Sequence, residues 1–164
     1  MSKSLDLGCG LSPSNPYKAD TVFGVDLRSG LGDHVASADL AIEPIPYSDE
    51  SFEYVTAFQF IEHVPRVVYL PKQRNSFVEL MNEIWRVLKP DGVFLSVTPA
   101  YPHSAAFQDP THVNIITQET FTHYFDDTHR WATAYGFAGW FRIIRQEWMG
   151  VNLVTQMQKV MPQQ

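Results

Sequence analysis

Apolar residues come in short runs over the first hundred positions, most of them too brief for a helix. Residues 4–7, Thr21–Asp26 and Phe52–Phe58 read as buried strands, the latter two rich in β-branched and aromatic side chains. Residues 28–50 are loop-like, with a short strand expected near 35–40 and turn signals at Pro44, Pro46 and Ser48-Asp49-Glu50. The period changes at Phe77. Phe77, Leu80, Met81, Ile84 and Leu88 share one helical face, Ser76 and Glu79 have the spacing of a capping box, and Lys89-Pro90-Asp91-Gly92 is a stop signal. The spacing predicts a helix over 77–88 feeding a strand over 93–98.

Pro65 and Pro71 bound an irregular segment expected to lie over the site. Residues 99–116 form a long loop rich in Pro, His and aromatics; Thr117 then caps a short helix reaching about Phe125, and a second short helix ends at Gly136. Residues 140–148 and 151–160 are β-like runs about Met149-Gly150, the pattern of an antiparallel hairpin at a sheet edge. Alternating strands and helices with a terminal hairpin predict an α/β fold, an open and mostly parallel sheet with one reversed strand, in one domain over residues 1–164. The first strand stands so early that no cap helices are expected ahead of it, and the tail after Lys159 is expected to fray.

Eighteen acidic against twelve basic residues give a net charge of −6, and the Lys and Arg are scattered, so nucleic acid is a disfavoured substrate. Cys9 is the only cysteine, which excludes an internal disulfide and makes a reducing, cytoplasmic setting the expectation. No run has the apolar length of a membrane span. A soluble monomer or homodimer is expected.

The candidate chemistry begins at Leu5-Asp6-Leu7-Gly8-Cys9-Gly10, a strand ending in a GxG turn, answered by Phe23-Gly24-Val25-Asp26, a strand ending in a carboxylate. In open α/β sheets ligands bind at the carboxyl ends of the strands, and an acid at the second strand can accept bonds from a ribose diol. A dinucleotide wants a helix N-terminus for its pyrophosphate and a third glycine; here Pro13 and Pro16 leave one helical turn at most and that glycine is absent. A nicotinamide oxidoreductase is therefore disfavoured. S-adenosylmethionine carries a cationic sulfonium and no phosphate, so it needs close backbone approach and carboxylates, and it would justify Asp6 inside an apolar strand.

These stretches resemble the first two motifs of class I S-adenosylmethionine-dependent methyltransferases. Ala38-Asp39-Leu40 with residues 45–55 is similar to their third, and Glu83-Ile84-Trp85-Arg86-Val87-Leu88-Lys89-Pro90-Asp91-Gly92-Val93 to the segment before their fifth strand. The resemblance covers residues 4–98 and implies a Rossmann-like sheet and S-adenosylmethionine as cofactor. It implies that Gly8 and Gly10 admit the methionine part near Asp6, that Asp26 holds the ribose, that Asp39 and Leu40 meet the adenine, and that Phe58 and Gln59 face the methionine end. The first crossover is shorter than the family pattern, and the missing cap leaves room for a partner to supply one.

Methyl transfer is an in-line displacement, and an acceptor that loses a proton needs a base. His63 and His112 are the candidates, the first by position after the fourth strand and the second in Asp109-Pro110-Thr111-His112 of the long loop. Glu62, Asp109, His112 and Tyr124 are the expected acceptor contacts; of Phe121, His123, Tyr124 and Phe125, two are assigned to the core, and His103 is expected in solvent. Gln59-Phe60-Ile61-Glu62-His63 is similar to the ExxEH metal-binding pattern of some O-methyltransferases, with Gln59 in place of the first carboxylate, so no metal is expected. Cys9 reads as a buried filler of the turn. The function expected is methyl transfer to an oxygen or nitrogen of a small-molecule or sugar acceptor, the alternative a non-catalytic binder of the same cofactor.

Overall fold

A computed structural model describes residues 1–161; residues 162–164 of the tail expected to fray lie outside the described residues. The strands are β1 (Lys3–Leu7), β2 (Thr21–Asp26), β3 (Val35–Ser37), β4 (Phe52–Phe58), β5 (Val68–Tyr69), β6 (Gln73–Arg74), β7 (Leu88–Pro99), β8 (Phe141–Met149) and β9 (Asn152–Lys159). The helices are α1 (Ser76–Val87) and α2 (Gln118–Tyr124), with 3-10 turns at Ile61–His63, Ser104–Ala106 and Trp131–Tyr135. Seven strands form one sheet in the order β3-β2-β1-β4-β7-β9-β8, while β5 and β6 make a separate ribbon. The pairs from β3 to β7 are parallel and β9 runs antiparallel to both of its neighbours, so the sheet is Rossmann-like with a reversed hairpin at its edge.

Alternate residues of a strand face opposite sides. Leu5, Leu7, Val55, Ala57, Phe94 and Met157 join Leu80, Met81 and Ile84 of α1 in one buried cluster, each of the three helix residues contributing about 1.5–3 kcal/mol. The opposite face carries Ser4, Asp6, Tyr54, Thr56 and Gln156, and a loop over 8–20 covers it where a crossover helix would otherwise stand. Tyr17 stacks on Tyr54 with centroids 4.3 Å apart, Gln156 Nε2 donates to Tyr17 Oη at 3.2 Å, and the Ser14 amide donates to Asp6 Oδ2 at 2.8 Å. The two prolines prevent a helix here, as expected, and the loop substitutes polar anchors for an apolar helix face.

Several local expectations are corrected. The capping box does not form: Asn75 is the N-cap residue without a side-chain bond, the buried Ser76 hydroxyl donates to the Ala41 carbonyl, and Glu79 is taken by Arg74. Residues 89–92 are not a separate turn but belong to β7, with Asp91 at φ 63° and a register shift between Phe52 and Tyr54. The third strand stops at Ser37, and the helix before Gly136 is the 3-10 turn at Trp131–Tyr135. Thr117 does cap α2, accepting from the Glu119 amide at 3.3 Å. Among the described residues no helix is long and apolar enough to cross a membrane.

Candidate active site

Both halves of the site lie where the parallel strands end. β1 runs into Gly8 and Gly10, at φ 66° and 60°, and the Gly8 amide donates to the Val25 carbonyl at 2.8 Å, which ties the turn to β2. Asp26 Oδ2 accepts from the Gly10 amide at 2.9 Å, and Arg28 Nε donates to Asp26 Oδ1 at 2.9 Å. The Arg28 bonds, followed by backbone amides, hold the Asp26 carboxyl down at about 2, so it is fully ionised at neutral pH. Burial pushes Asp6 upward against the bonds from Ser14 and Thr56, whose Oγ1 donates to Asp6 Oδ1 at 2.6 Å. Between these acids Cys9 is pushed up to about 11, first by burial and then by the charges of Asp6 and Asp26. The turn thus disfavours added negative charge, which fits a cationic ligand and not a pyrophosphate.

The second half is built by docking two segments 48 residues apart. The Glu62 carbonyl accepts from the amides of Val113 and Asn114 at 2.9 and 3.0 Å, and Asn114, fully buried, donates from Nδ2 to the Ile61 carbonyl at 3.2 Å. Arg66 Nε donates to Asn114 Oδ1 at 2.8 Å. These bonds bring the His63 and His112 rings edge to face with centroids 4.9 Å apart. Thr111 Oγ1 donates to Asp109 Oδ1 at 2.6 Å and so accepts from His63 Nδ1 at 3.0 Å, beside the Thr111 carbonyl at 3.3 Å. Both neighbours of Nδ1 are acceptors. Neutral His63 therefore carries its proton on Nδ1 and keeps the Nε2 lone pair, the form a base requires.

Glu62, His63, Asp109 and His112 thus meet as one corner, whereas Tyr124 lines a different cavity of about 380 Å³ between α1 and α2, together with Phe77 and Thr117. Glu62 is a buried side chain whose Oε2 accepts from Thr98 Oγ1 at 2.7 Å. On the other side, Leu40 packs in the core and Asp39 Oδ1 accepts from the Ala41 amide at 3.0 Å. Phe58 ends β4, and Gln59, at φ 50°, donates from Nε2 to Asn152 Oδ1 at 3.0 Å. Of Phe121, His123, Tyr124 and Phe125, the two in the core are Phe121 and Phe125. His103 is corrected from solvent-exposed to half-buried, its ring against Trp148 at 5.0 Å, because the hairpin end reaches over the loop.

Sequence reading missed Phe60, Arg28, Asn114 and Thr98. Thr111 stood inside the Asp109-Pro110-Thr111-His112 run, where its hydroxyl between an acid and a histidine was the available signal, and Phe60 inside the Gln59–His63 run; nothing local marks Arg28, Asn114 and Thr98, whose roles depend on tertiary contact.

The sequence profile of the methyltransferase domain matches residues 5–96, more than half of the chain. No curated protein matches it. Among solved structures, a SAM-dependent methyltransferase from Archaeoglobus fulgidus is 15% identical over 96% of this chain and 86% of its own, with a TM-score of 0.68. The protein in complex with the Haloferax volcanii Trm112 methyltransferase activator is 14% identical over 98% and 83%, TM-score 0.64, and the [4+2]-cyclase SpnF is 16% identical over 98% and 75%, TM-score 0.65. The profile match and the β3-β2-β1-β4-β7-β9-β8 sheet agree: the chain belongs to the methyltransferase domain family, class I, whose cofactor is S-adenosylmethionine.

Proposed function

We propose that the protein transfers a methyl group to an oxygen or nitrogen of a small-molecule or sugar acceptor received at the His63–His112 corner. The observation that carries this reading is the link between the two halves of the site. The Phe60 ring lies against Gly8 of the turn, and Phe60 immediately precedes the Ile61–His63 turn that presents the histidine.

S-adenosylmethionine supplies, when bound, a methyl group on a sulfonium that a nucleophile can displace in line. Gly8 and Gly10 would admit it to the backbone, Asp26 would accept from its ribose once the exposed Arg28 swings off, and Asp6 and Asp26 would favour its positive charge. Asp39 and Leu40 border the adenine side, and Phe58 and Gln59 the methionine end. His63 Nε2 would take the proton that an acceptor hydroxyl or amine loses on methylation, with Thr111 and Asp109 holding the ring in the required tautomer. His112 and Asp109 line the acceptor's place, and Tyr124 serves a more distant part of it.

Calorimetric titration with S-adenosylmethionine and S-adenosylhomocysteine tests the cofactor half, and absence of binding overturns the reading. Methyl transfer to pooled acceptors tests the other half; His63→Asn should lower kcat by about 10²–10⁴-fold with cofactor affinity unchanged. Binding without transfer to any acceptor favours the non-catalytic binder. A partner-completed cap is the reading supported by exposed Tyr69, Leu70, Tyr101, Phe107 and Val113 on the loops around the site, and by the activator complex formed by the H. volcanii neighbour.

A further inference from the structure

We propose that Glu62, His63 and His112 form a binding site for one divalent transition-metal ion. Each offers a ligand atom, and the three atoms lie within 4.8 Å of one another. Two polar atoms of the group are buried without a partner, Glu62 Oε1 and His112 Nδ1. Glu62 is 1% exposed and the His112 side chain 9%, so water does not satisfy them readily, and each such orphan is destabilising. A cation removes both penalties at once.

Glu62 and His63 share one bonding pattern, each committing one polar atom outward and leaving the other: Glu62 Oε2 accepts from Thr98 at 2.7 Å and His63 Nδ1 donates to Thr111 at 3.0 Å. His112 Nε2 lies 4.0 Å from Asp109 Oδ2, beyond hydrogen-bond reach but close enough for the acid to favour its orientation. Outer partners of this kind orient metal ligands and fix the imidazole tautomer. A small tilt of the exposed His63 ring that keeps its Nδ1 bond to Thr111 would close the group from within 4.8 Å to the roughly 3–4 Å ligand spacing that metal bonds of about 2.0–2.2 Å require. Gln59, whose place in the ExxEH pattern argued against a metal, is spent on Asn152 and does not enter the group.

Two imidazole nitrogens and one carboxylate suit zinc, manganese, iron or cobalt, while magnesium and calcium prefer all-oxygen sets. Three protein ligands leave a position open for an acceptor oxygen, whose proton an ion makes easier to lose. In the loaded protein the ion takes the His63 Nε2 lone pair, so His63 is then a ligand and not the base, and the proton of the acidified acceptor oxygen leaves to water; this role rests on the methyl-transfer reading, although binding itself does not.

The test is titration of chelator-stripped full-length protein with Zn²⁺, Mn²⁺ and Co²⁺ by calorimetry, with Co²⁺ absorption as a second readout and S-adenosylhomocysteine binding measured on the same stripped sample. One ion per chain is expected. Glu62→Gln, His63→Asn and His112→Asn should each abolish tight binding, and Thr111→Val, which removes the hydroxyl between His63 Nδ1 and Asp109 without removing a ligand, should weaken it about tenfold. Failure of all three ions to bind in protein that still binds S-adenosylhomocysteine overturns the metal site and leaves the methyltransferase reading standing. Binding that survives His63→Asn and His112→Asn overturns the assignment to these residues. Metal binding in protein that ignores S-adenosylhomocysteine supports the site while overturning the methyl-transfer role given to it.

Discussion

The ring of Phe60 occupies the place of a side chain on Gly8: a Cβ there would stand 2.4 Å from Phe60 Cδ2. The end of β1 and the turn after β4 are therefore fitted to each other without slack, and Gly8 also holds φ at 66°. Gly8→Ala is expected to cost about 2–4 kcal/mol, left-handed strain added to overpacking. Denaturant titration checks it. A Gly8→Ala, Phe60→Ala double variant should show an interaction energy of opposite sign to the single losses, because the clash disappears while the strain stays.

Cys9 predicts its own pH profile. With a thiol pushed up to about 11, only about one in 1,000 is ionised at pH 8, so alkylation should be slow and rise about tenfold per pH unit. Asp26→Asn removes one of the charges that raise it and should speed labelling at fixed pH. A rate already level by about pH 9 would contradict the electrostatics assigned to the turn.

Asn114 is the pin of the second half. Asn114→Ala deprives the Ile61 carbonyl and the Arg66 guanidinium of a buried partner, at about 2–3 kcal/mol. Hydrogen exchange should accelerate in residues 103–115, and KM for the acceptor should rise, while S-adenosylhomocysteine affinity holds because the β1 turn is untouched.

Arg86 holds α1 to the loop before β4, donating to the carbonyls of Ile45 and Tyr47 at 2.9 and 2.8 Å and to Glu83 and Asp49. Arg86→Lys keeps the charge but loses the fork and should cost about 1–3 kcal/mol. A shift in thermal midpoint measures it, and a midpoint within error of the parent would remove the loop anchor from the account.

The strands and α1 were legible because their signals are local: β2 and β4 fall on the residues their apolar runs mark, and the period of Phe77, Leu80, Met81 and Ile84 defines the buried helix face. Where tertiary contacts compete with a local signal, reading fails. Ser76 has the chemistry of a cap, but the Ala41 carbonyl lies within its reach; Gly92 has the chemistry of a turn, but β7 pairs with β4 on both sides of it, at Leu88 with Phe52 and at Val93 with Tyr54, so the strand continues past it. The site divides in the same way. His63 and His112 were nameable one by one, whereas their meeting depends on two amides reaching the Glu62 carbonyl across the fold, and the orientation of His63 depends on Thr111.

The position of β9 has a consequence for biosynthesis. It is the last strand among the described residues, yet it sits between β7 and β8 and pairs with β7 from Val93 to Pro99. During synthesis β7 presents an open edge, with Phe94, Leu95 and Val97 along it, until residues 152–159 have left the ribosome, and such an edge is a template for association with other chains. The same late strand brings Asn152 to Gln59. A nascent chain can thus build much of its core before the bond between Gln59 and Asn152 can form, and ribosome stalling before residue 152 is expected to leave a species prone to aggregate and lacking that bond.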